Sequence, residues 1–291
     1  MRNLKLSSPR MTGTDVVDWQ GFLSNRGLFS GGIDGVFNPA TSQSTKDYQT
    51  SAGLDADGEV GPRTFAFAIR DGFQSSTRTL ELGMDASVNC TRFASCIAAA
   101  QMNFVVRYYS KVASKTLTPD EAGTLSDAGL KLVIVYQDKQ NEIGFFNGDE
   151  GTASAQRALD LAQKTGQHSG SAIYFAADFD PTPDEVRGPL SEYFLAVNQV
   201  FRAAPVQYTI GVYGSGLTCR LIRDASLAQY AWLSQSTGFR EYRAFRPRAH
   251  MLQIAPSRNI CNGKLSIDDD VAQVQDYGAF RLAGAAAGAG I

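Results

Sequence analysis

Only two histidines, His168 and His250, and four cysteines, Cys90, Cys96, Cys219 and Cys261, occur in the 291 residues. No two cysteines form a CxxC pair, so a structural zinc site or a three-histidine catalytic zinc lacks its ligands, and neither metal nor cofactor is expected. Four cysteines are also too few to build a disulfide scaffold of this length. Positive charge is not in excess: 27 Lys and Arg against 29 Asp and Glu give −2, so no broad basic surface for nucleic acid is indicated. Long apolar runs are missing. The longest, Leu130 to Tyr136, contains Lys131, and a membrane-spanning helix needs roughly 20 apolar residues. The start, Met1 to Arg10, has positive charge without an apolar core segment. No Sec signal peptide is expected there, so the chain stays inside or leaves by a route that does not read one. P-loop and dinucleotide fingerprints do not appear, and Gly214-Ser215-Gly216 is not a nucleophile elbow because Tyr213 stands where that turn needs Gly.

What is present divides in two. In the first 75 residues a short repeat occurs, Asp34-Gly-Val-Phe-Asn-Pro-Ala-Thr41 and Asp57-Gly-Glu-Val-Gly-Pro-Arg-Thr64. Asp-Gly supplies a turn, and the proline then opens a helix. Val16, Trp19 and Leu23 have helical spacing, and Thr41–Tyr48 and Phe65–Ile69 make two more helix candidates. The expectation is a small all-α bundle of three helices over residues 1–75. This region resembles the peptidoglycan-binding domain of cell-wall hydrolases. The resemblance rests on Gly13-Thr-Asp15-Val16, Trp19-Gln20, Leu23, Gly27, the two Asp-Gly repeats, Tyr48-Gln49 and Gly53-Leu54. It implies bacterial peptidoglycan as the partner.

A polar linker is expected over residues 76–80, and then the pattern changes. Eight apolar runs bounded by turn signals read as strands: Leu82–Ser87, Phe104–Ser110, Leu132–Gln137, Ala172–Asp180, Thr209–Gly214, Tyr230–Ser234, His250–Ala255 and Leu265–Ala272. Helical segments separate the early ones, at Arg92–Met102, Pro119–Ala128, Thr152–Lys164 and Pro183–Ala203. Alternating β and α predict an α/β domain over 81–282, a (β/α)8 TIM-like barrel of parallel strands with reduced helices after the last strands. Residues 283–291, rich in Ala and Gly, read as a disordered tail.

Active sites of such barrels lie at the C-terminal strand ends, and acids collect there. Asp85 ends the first strand, Asp178 and Asp180 the fourth, and Asp268 and Asp270 lie in the eighth. Side chains two apart on a strand share a face, so each pair should point together, and closure should bring the first and eighth strands side by side. Paired carboxylates suit glycoside hydrolysis. One stays protonated to protonate the leaving oxygen, and another stays ionised to activate water or stabilise an oxocarbenium-like transition state. Around the same mouth, Arg107, Tyr109, Tyr136, Gln137, Tyr213, Trp232 and Gln253 are the expected sugar-binding residues, with Tyr108 beside them.

The second region resembles the glycoside-hydrolase-like domain of unknown function 1906, itself similar to family 25 lysozymes. The matching residues are Gly83-Met-Asp85, Val106-Arg107-Tyr108, Ile173 to Asp180, Gly211-Val-Tyr213-Gly-Ser215, Ala231-Trp232, Leu252-Gln253 and Asp268-Asp-Asp270. The lysozymes carry Asp-x-Glu at the end of strand four with Glu as general acid. The resemblance therefore places Asp180 in the acid position, one methylene shorter, with Asp85, Asp178 and one of Asp268 or Asp270 assisting. It implies a wall-anchored peptidoglycan hydrolase, an N-acetylmuramidase above all. The alternative is a catalytically inactive barrel that holds wall glycan without cutting it. A phage endolysin released through a holin, or an antibacterial effector passed through a secretion machinery and countered by an immunity protein, would act at the cell wall without a Sec signal and without inserting into a membrane. If the protein works outside the cytosol, a Cys90–Cys96 bridge is conceivable.

Overall fold

The computed structural model describes residues 1–282, and the expected tail from 283 to 291 lies outside them. The chain forms two compact units, one comprising Met1–Leu82 with Gln273–Gln275, the other Gly83–Ala272 and the chain from Asp276. Among the described residues no helix is long and apolar enough to cross a membrane.

The first unit contains helices α1 (Thr14–Asn25), α2 (Pro39–Ser51) and α3 (Pro62–Arg70). Its core centres on Trp19, whose ring packs 5.3–5.9 Å from those of Phe22, Tyr48, Phe65 and Phe73. The repeat has a physical basis in two buried glutamines. Gln20 Nε2 donates to Asp34 Oδ1, Val36 O and Thr41 Oγ1 while its Oε1 accepts from Gly35 N. Gln49 does the same one repeat later, to Asp57, Glu59 O and Thr64, and accepts from Gly58 N. Each glutamine ties a turn to the helix that follows. Gly35 and Gly58 have φ of 69° and 76°, which only glycine adopts at little cost. Ser76, the first residue of the expected linker, and Ser75 before it both bond to Asp18 of α1.

The second unit is built on a closed barrel of eight strands in sequence order. They are β1 (Glu81–Asp85), β2 (Phe104–Tyr109), β3 (Lys131–Tyr136), β4 (Ala172–Ala177), β5 (Thr209–Gly214), β6 (Tyr230–Leu233), β7 (Met251–Ile260) and β8 (Leu265–Ala272). Around them lie α4 (Ala94–Ala99), α5 (Pro119–Asp127), α6 (Gly148–Thr165), α7 (Pro183–Glu185), α8 (Ser191–Ala203), α9 (Gly216–Asp224) and α10 (Tyr242–Phe245). The helix expected over Pro183–Ala203 is interrupted, because Gly188 leaves the helical region and Pro189 has no N–H to donate.

All eight expected strands are present, but not all run parallel. Strands β1 to β7 pair in parallel, whereas β7 and β8 form an antiparallel hairpin, with Gln253 opposite Asp270. Four residues separate Ile260 from Leu265. A parallel crossover needs a dozen or more, so the hairpin is the connection that fits. The Cys90–Cys96 bridge that the spacing left open is also not made. Cys96 pairs with Cys261, joining α4 to the hairpin turn, while Cys90 and Cys219 are free and buried.

Strand register determines which side chains fill the barrel. Val106 lies beside Asp85, Tyr108 beside Val135, Tyr174 beside Gly211, and Tyr213 beside Trp232. Tyr174 donates to the Tyr277 carbonyl at 2.8 Å, and Phe104 packs on the Tyr277 ring. The alternate residues leave for the helical layer: Phe175 packs on Phe194 and Phe201 of α8.

Candidate active site

A polar pocket of about 180 Å³ opens in the barrel, lined by Tyr108, Gln137, Asp178, Tyr213, Trp232, Gln253 and Asp268 among others. Gln253 is its hub. Nε2 donates to Asp85 Oδ2 at 2.7 Å and to Asp268 Oδ2 at 3.2 Å, while Oε1 accepts from Tyr213 OH at 2.8 Å. Tyr108 OH donates to Asp85 Oδ1 at 2.8 Å. Asp178, just past the end of β4, is open to solvent and accepts from Gln137 Nε2 at 3.1 Å and more loosely from Tyr213 OH at 3.4 Å. Trp232 Nε1 donates to Asp270 Oδ1 at 2.8 Å. The other oxygen of Asp270 is buried without a hydrogen-bond partner among the described residues.

Four of the five expected acids therefore converge, bridged by neutral donors. Burial dominates their electrostatics. It pushes Asp85 up to about 7, with the neighbouring Asp268 charge adding to the rise and the Gln253 and Tyr108 hydrogen bonds opposing it. Burial, then the Asp85 charge, holds Asp270 well above the ordinary carboxylate range. Partial desolvation of its carboxyl raises Asp178 as well, against the bonds from Gln137 and Tyr213. Carboxyls that keep a proton at higher pH than usual, one of them solvent-accessible, are suited to proton donation.

Asp180 is not among them. Strand β4 ends at Ala177, so Asp178 and Asp180 do not share a strand face. Asp180 instead forms an ion pair with Arg240 Nη1 at 2.7 Å and accepts from the Arg240 backbone N–H. Arg107 also leaves the pocket. It points outward, fully buried, and pairs with Glu121 of α5 at 2.7 Å. Tyr109 and Tyr136 share its outward phase: Tyr109 bonds Gln167 and Tyr136 bonds Asp138. Gln137, Tyr213, Trp232 and Gln253 do line the pocket. Tyr213 and Trp232 are nevertheless almost fully buried, with rings 4.5 Å apart, so they set the acids rather than offer open faces to a sugar.

Sequence reasoning passed over two contributors, Lys115 and Gln235, and set Tyr108 only beside the expected residues. Tyr108 has the inward phase that period-2 alternation assigns once Asp85 is taken as inward. Lys115 donates to Gln137 at 2.9 Å and lies 4.1 Å from the Tyr108 ring, but comes from a loop without a motif. Gln235 Nε2 donates to Asp268 at 3.1 Å from the segment after β6. Ser215 is accounted for as the N-cap of α9, accepting from Thr218 N.

The Rv2525c-like, glycoside hydrolase-like domain matches residues 95–272, and the peptidoglycan binding domain PG_binding_1 matches residues 12–67. Two curated relatives come from Bacillus subtilis (strain 168). The uncharacterized protein YbfG is 39% identical over 126 residues, covering 41% of this chain and 17% of YbfG. The uncharacterized protein FadG is 24% identical over 213 residues, 71% of this chain and 37% of FadG. The chain thus spans well under half the length of either relative. Among solved structures, the Mycobacterium tuberculosis Tat-secreted protein Rv2525c in complex with L-tartrate aligns with a TM-score of 0.59 and 23% identity. That alignment covers 69% of this chain and 99% of the mycobacterial one, a likeness of fold.

Proposed function

The chain belongs to the Rv2525c-like, glycoside hydrolase-like domain family, and on that premise we propose that it is a peptidoglycan hydrolase that cleaves the wall glycan, as an N-acetylmuramidase. The observation that carries this reading is the convergence of Asp85, Asp178 and Asp268 on one pocket through Gln253, Tyr213 and Gln137. The peptidoglycan binding domain ahead of the barrel supports it. Tethering to an insoluble polymer raises the local substrate concentration without any new contact.

In this reading Asp178 is the general acid. It is the acid open to solvent, and burial of its surroundings raises its proton affinity. It protonates the leaving glycosidic oxygen as the C–O bond breaks. Asp85 and Asp268, fixed by Gln253, stabilise the developing oxocarbenium charge or direct the water in their ionised forms, which for Asp85 requires a pH above about 7. Asp270 lies behind them, held by Trp232, and burial favours its neutral form. Asp180 positions the segment after β4 through Arg240. A Cys96–Cys261 bridge fits action at the cell wall, where thiols are oxidised. Release through a holin, or passage through a secretion machine with a matching immunity protein, is the delivery that accompanies this reading.

The test is release of reducing ends from purified peptidoglycan by the full chain, with product masses identifying the bond cut. Muramic acid reducing ends, lost in Asp178→Asn, are the expected result. The second reading, a barrel that holds glycan without cutting it, is favoured by one observation: Asp180, which the sequence resemblance aligns with the lysozyme acid, is engaged with Arg240. Saturable glycan binding with no reducing ends would establish that reading instead.

A further inference from the structure

Beside the acid pocket lies a larger groove of about 940 Å³, which shares Tyr108 and Asp268 with it and has Asp85 at its inner end. One wall is the segment after β1, residues 86–93, and the other is the β7–β8 hairpin. Both walls are built rather than loose. Arg107 donates to the Ala86 carbonyl, and its partner Glu121 accepts from Cys90 N at 2.6 Å and from Asn89 Nδ2 at 3.2 Å. The hairpin is braced by Arg258 on Asp269 at 2.6 Å and by Ser257 on Asp268. The Cys96–Cys261 bridge joins the helix that follows the first wall to the turn of the second. The groove is therefore preformed, and its size lies within the range of small-molecule sites.

Its lining carries charge of both signs, the acids more buried than the cations. The inner end holds Asp85 and Asp268, whereas the lining also includes Arg92 and Lys264. Neither cation has a carboxylate partner among the described residues, unlike Arg107 and Arg258 nearby. Arg92 and Lys264 are both exposed, and the Arg92 guanidinium rests 4.6 Å from the centre of the Phe93 ring. Exposed Val88 and the hydroxyls of Ser257 and Ser266 supply apolar and hydrogen-bonding surface between the two ends.

We propose that this groove is a subsite for glycan bearing a carboxylate substituent, with Arg92 and Lys264 receiving the anion while the sugar backbone runs into the acid pocket. The inference rests on the glycan reading above and adds what selects the substrate. A neutral oligomer would fit the walls but leave both cations unpaired. An anion near Asp85 and Asp268 would be repelled, so the charged group must sit at the outer end. Two sources share this chemistry: a carboxylate on the sugar itself, or one on a peptide attached to it.

The experiment is calorimetric titration of the full chain with three oligosaccharides of equal length. One is a neutral N-acetylglucosamine oligomer, one a wall glycan stripped of peptide, and one a wall glycan with its peptides intact. Arg92→Ala with Lys264→Ala should weaken the carboxylate-bearing glycans by about 3- to 20-fold, the scale of two partly exposed ion pairs. Affinity for the neutral oligomer should be unchanged, and Arg92→Lys with Lys264→Arg should restore binding. Raised salt should narrow the preference. Loss confined to the peptide-bearing glycan assigns the carboxylate to the peptide, loss confined to the stripped glycan assigns it to the sugar, whose carboxylate the peptide amide consumes, and loss on both shows that the cations receive either. Equal loss on all three, or none on any, overturns the proposal while leaving the glycan reading standing. A wild-type chain that binds none of the three overturns both.

Discussion

Arg240 holds Asp180 from two directions, its guanidinium 2.7 Å from Oδ2 and its backbone N–H 2.8 Å from Oδ1. That grip draws Asp180 away from the pocket where Asp178 stands open among Gln137 and Tyr213. The two neighbouring acids should respond differently to the same change. Asp178→Asn removes the proton donor and should lower turnover about 10²- to 10⁴-fold, the usual worth of general acid catalysis. Asp180→Asn keeps an oxygen for the Arg240 N–H and should cost less than about 10-fold. Initial rates of reducing-end release from both variants decide the matter, and a larger loss in Asp180→Asn would return the acid role to it.

The strand and helix pattern made much of this arrangement legible. Alternating apolar runs gave all eight strands, and the Asp-Gly repeats gave the three helices of the first unit. The inward phase was harder to read. Arg107, Tyr108 and Tyr109 are adjacent on β2, and only the middle one reaches Asp85. Choosing among them needs the register between β1 and β2, which composition does not carry. Asp180 looked equivalent to Asp178 only while β4 was taken to run three residues longer. The Cys96–Cys261 pair spans 165 residues, and such a pairing follows from barrel closure rather than from spacing.

That bridge yields a count that can be checked. Cys90 and Cys219 are buried, and burial pushes their thiols up to about 11 and about 12. Thiolate is the reactive form, so neither should react in the native protein. Alkylation followed by mass measurement should find no modified cysteine in the native chain, two after denaturation, and four after denaturation with reductant. Cys96→Ser with Cys261→Ser should lower stability by about 2–4 kcal/mol in chemical denaturation, as expected for closing a long loop. Four reactive thiols without reductant would exclude the bridge.

The buried acids should make the barrel less stable as pH rises. Asp85 has an ordinary value of 3.8 and is raised to about 7 in the fold. Between those values the folded chain keeps a proton that the unfolded chain has released. Stability is therefore fully present below about pH 4 and is lost through pH 7, by up to about 1.4 kcal/mol per unit from this group. Asp270, also raised, acts in the same direction. Urea midpoints at pH 4, 5, 6 and 7 should fall progressively in the wild type and less steeply in Asp85→Asn. Identical slopes would show that Asp85 is not the group responsible.

The paired glutamines of the first unit make the last expectation, and symmetry makes it quantitative. Gln20 and Gln49 each satisfy four hydrogen bonds in one repeat, and both are buried. Truncating either to Ala leaves a buried glycine N–H without its acceptor and takes a donor from the Val36 or Glu59 carbonyl, while the Thr41 and Thr64 hydroxyls still donate to Asn38 and Glu59. Each such group costs about 1–3 kcal/mol. Gln20→Ala and Gln49→Ala should therefore destabilise this unit by similar amounts, about 2–5 kcal/mol each, and sedimentation of the chain with insoluble peptidoglycan should fall with it. Glu at either position keeps the acceptor for the glycine N–H but loses the donor and faces Asp34 or Asp57. It should be no better than Ala. If thermal melts show Gln20→Ala costly and Gln49→Ala neutral, the repeat is one of sequence without being one of energy.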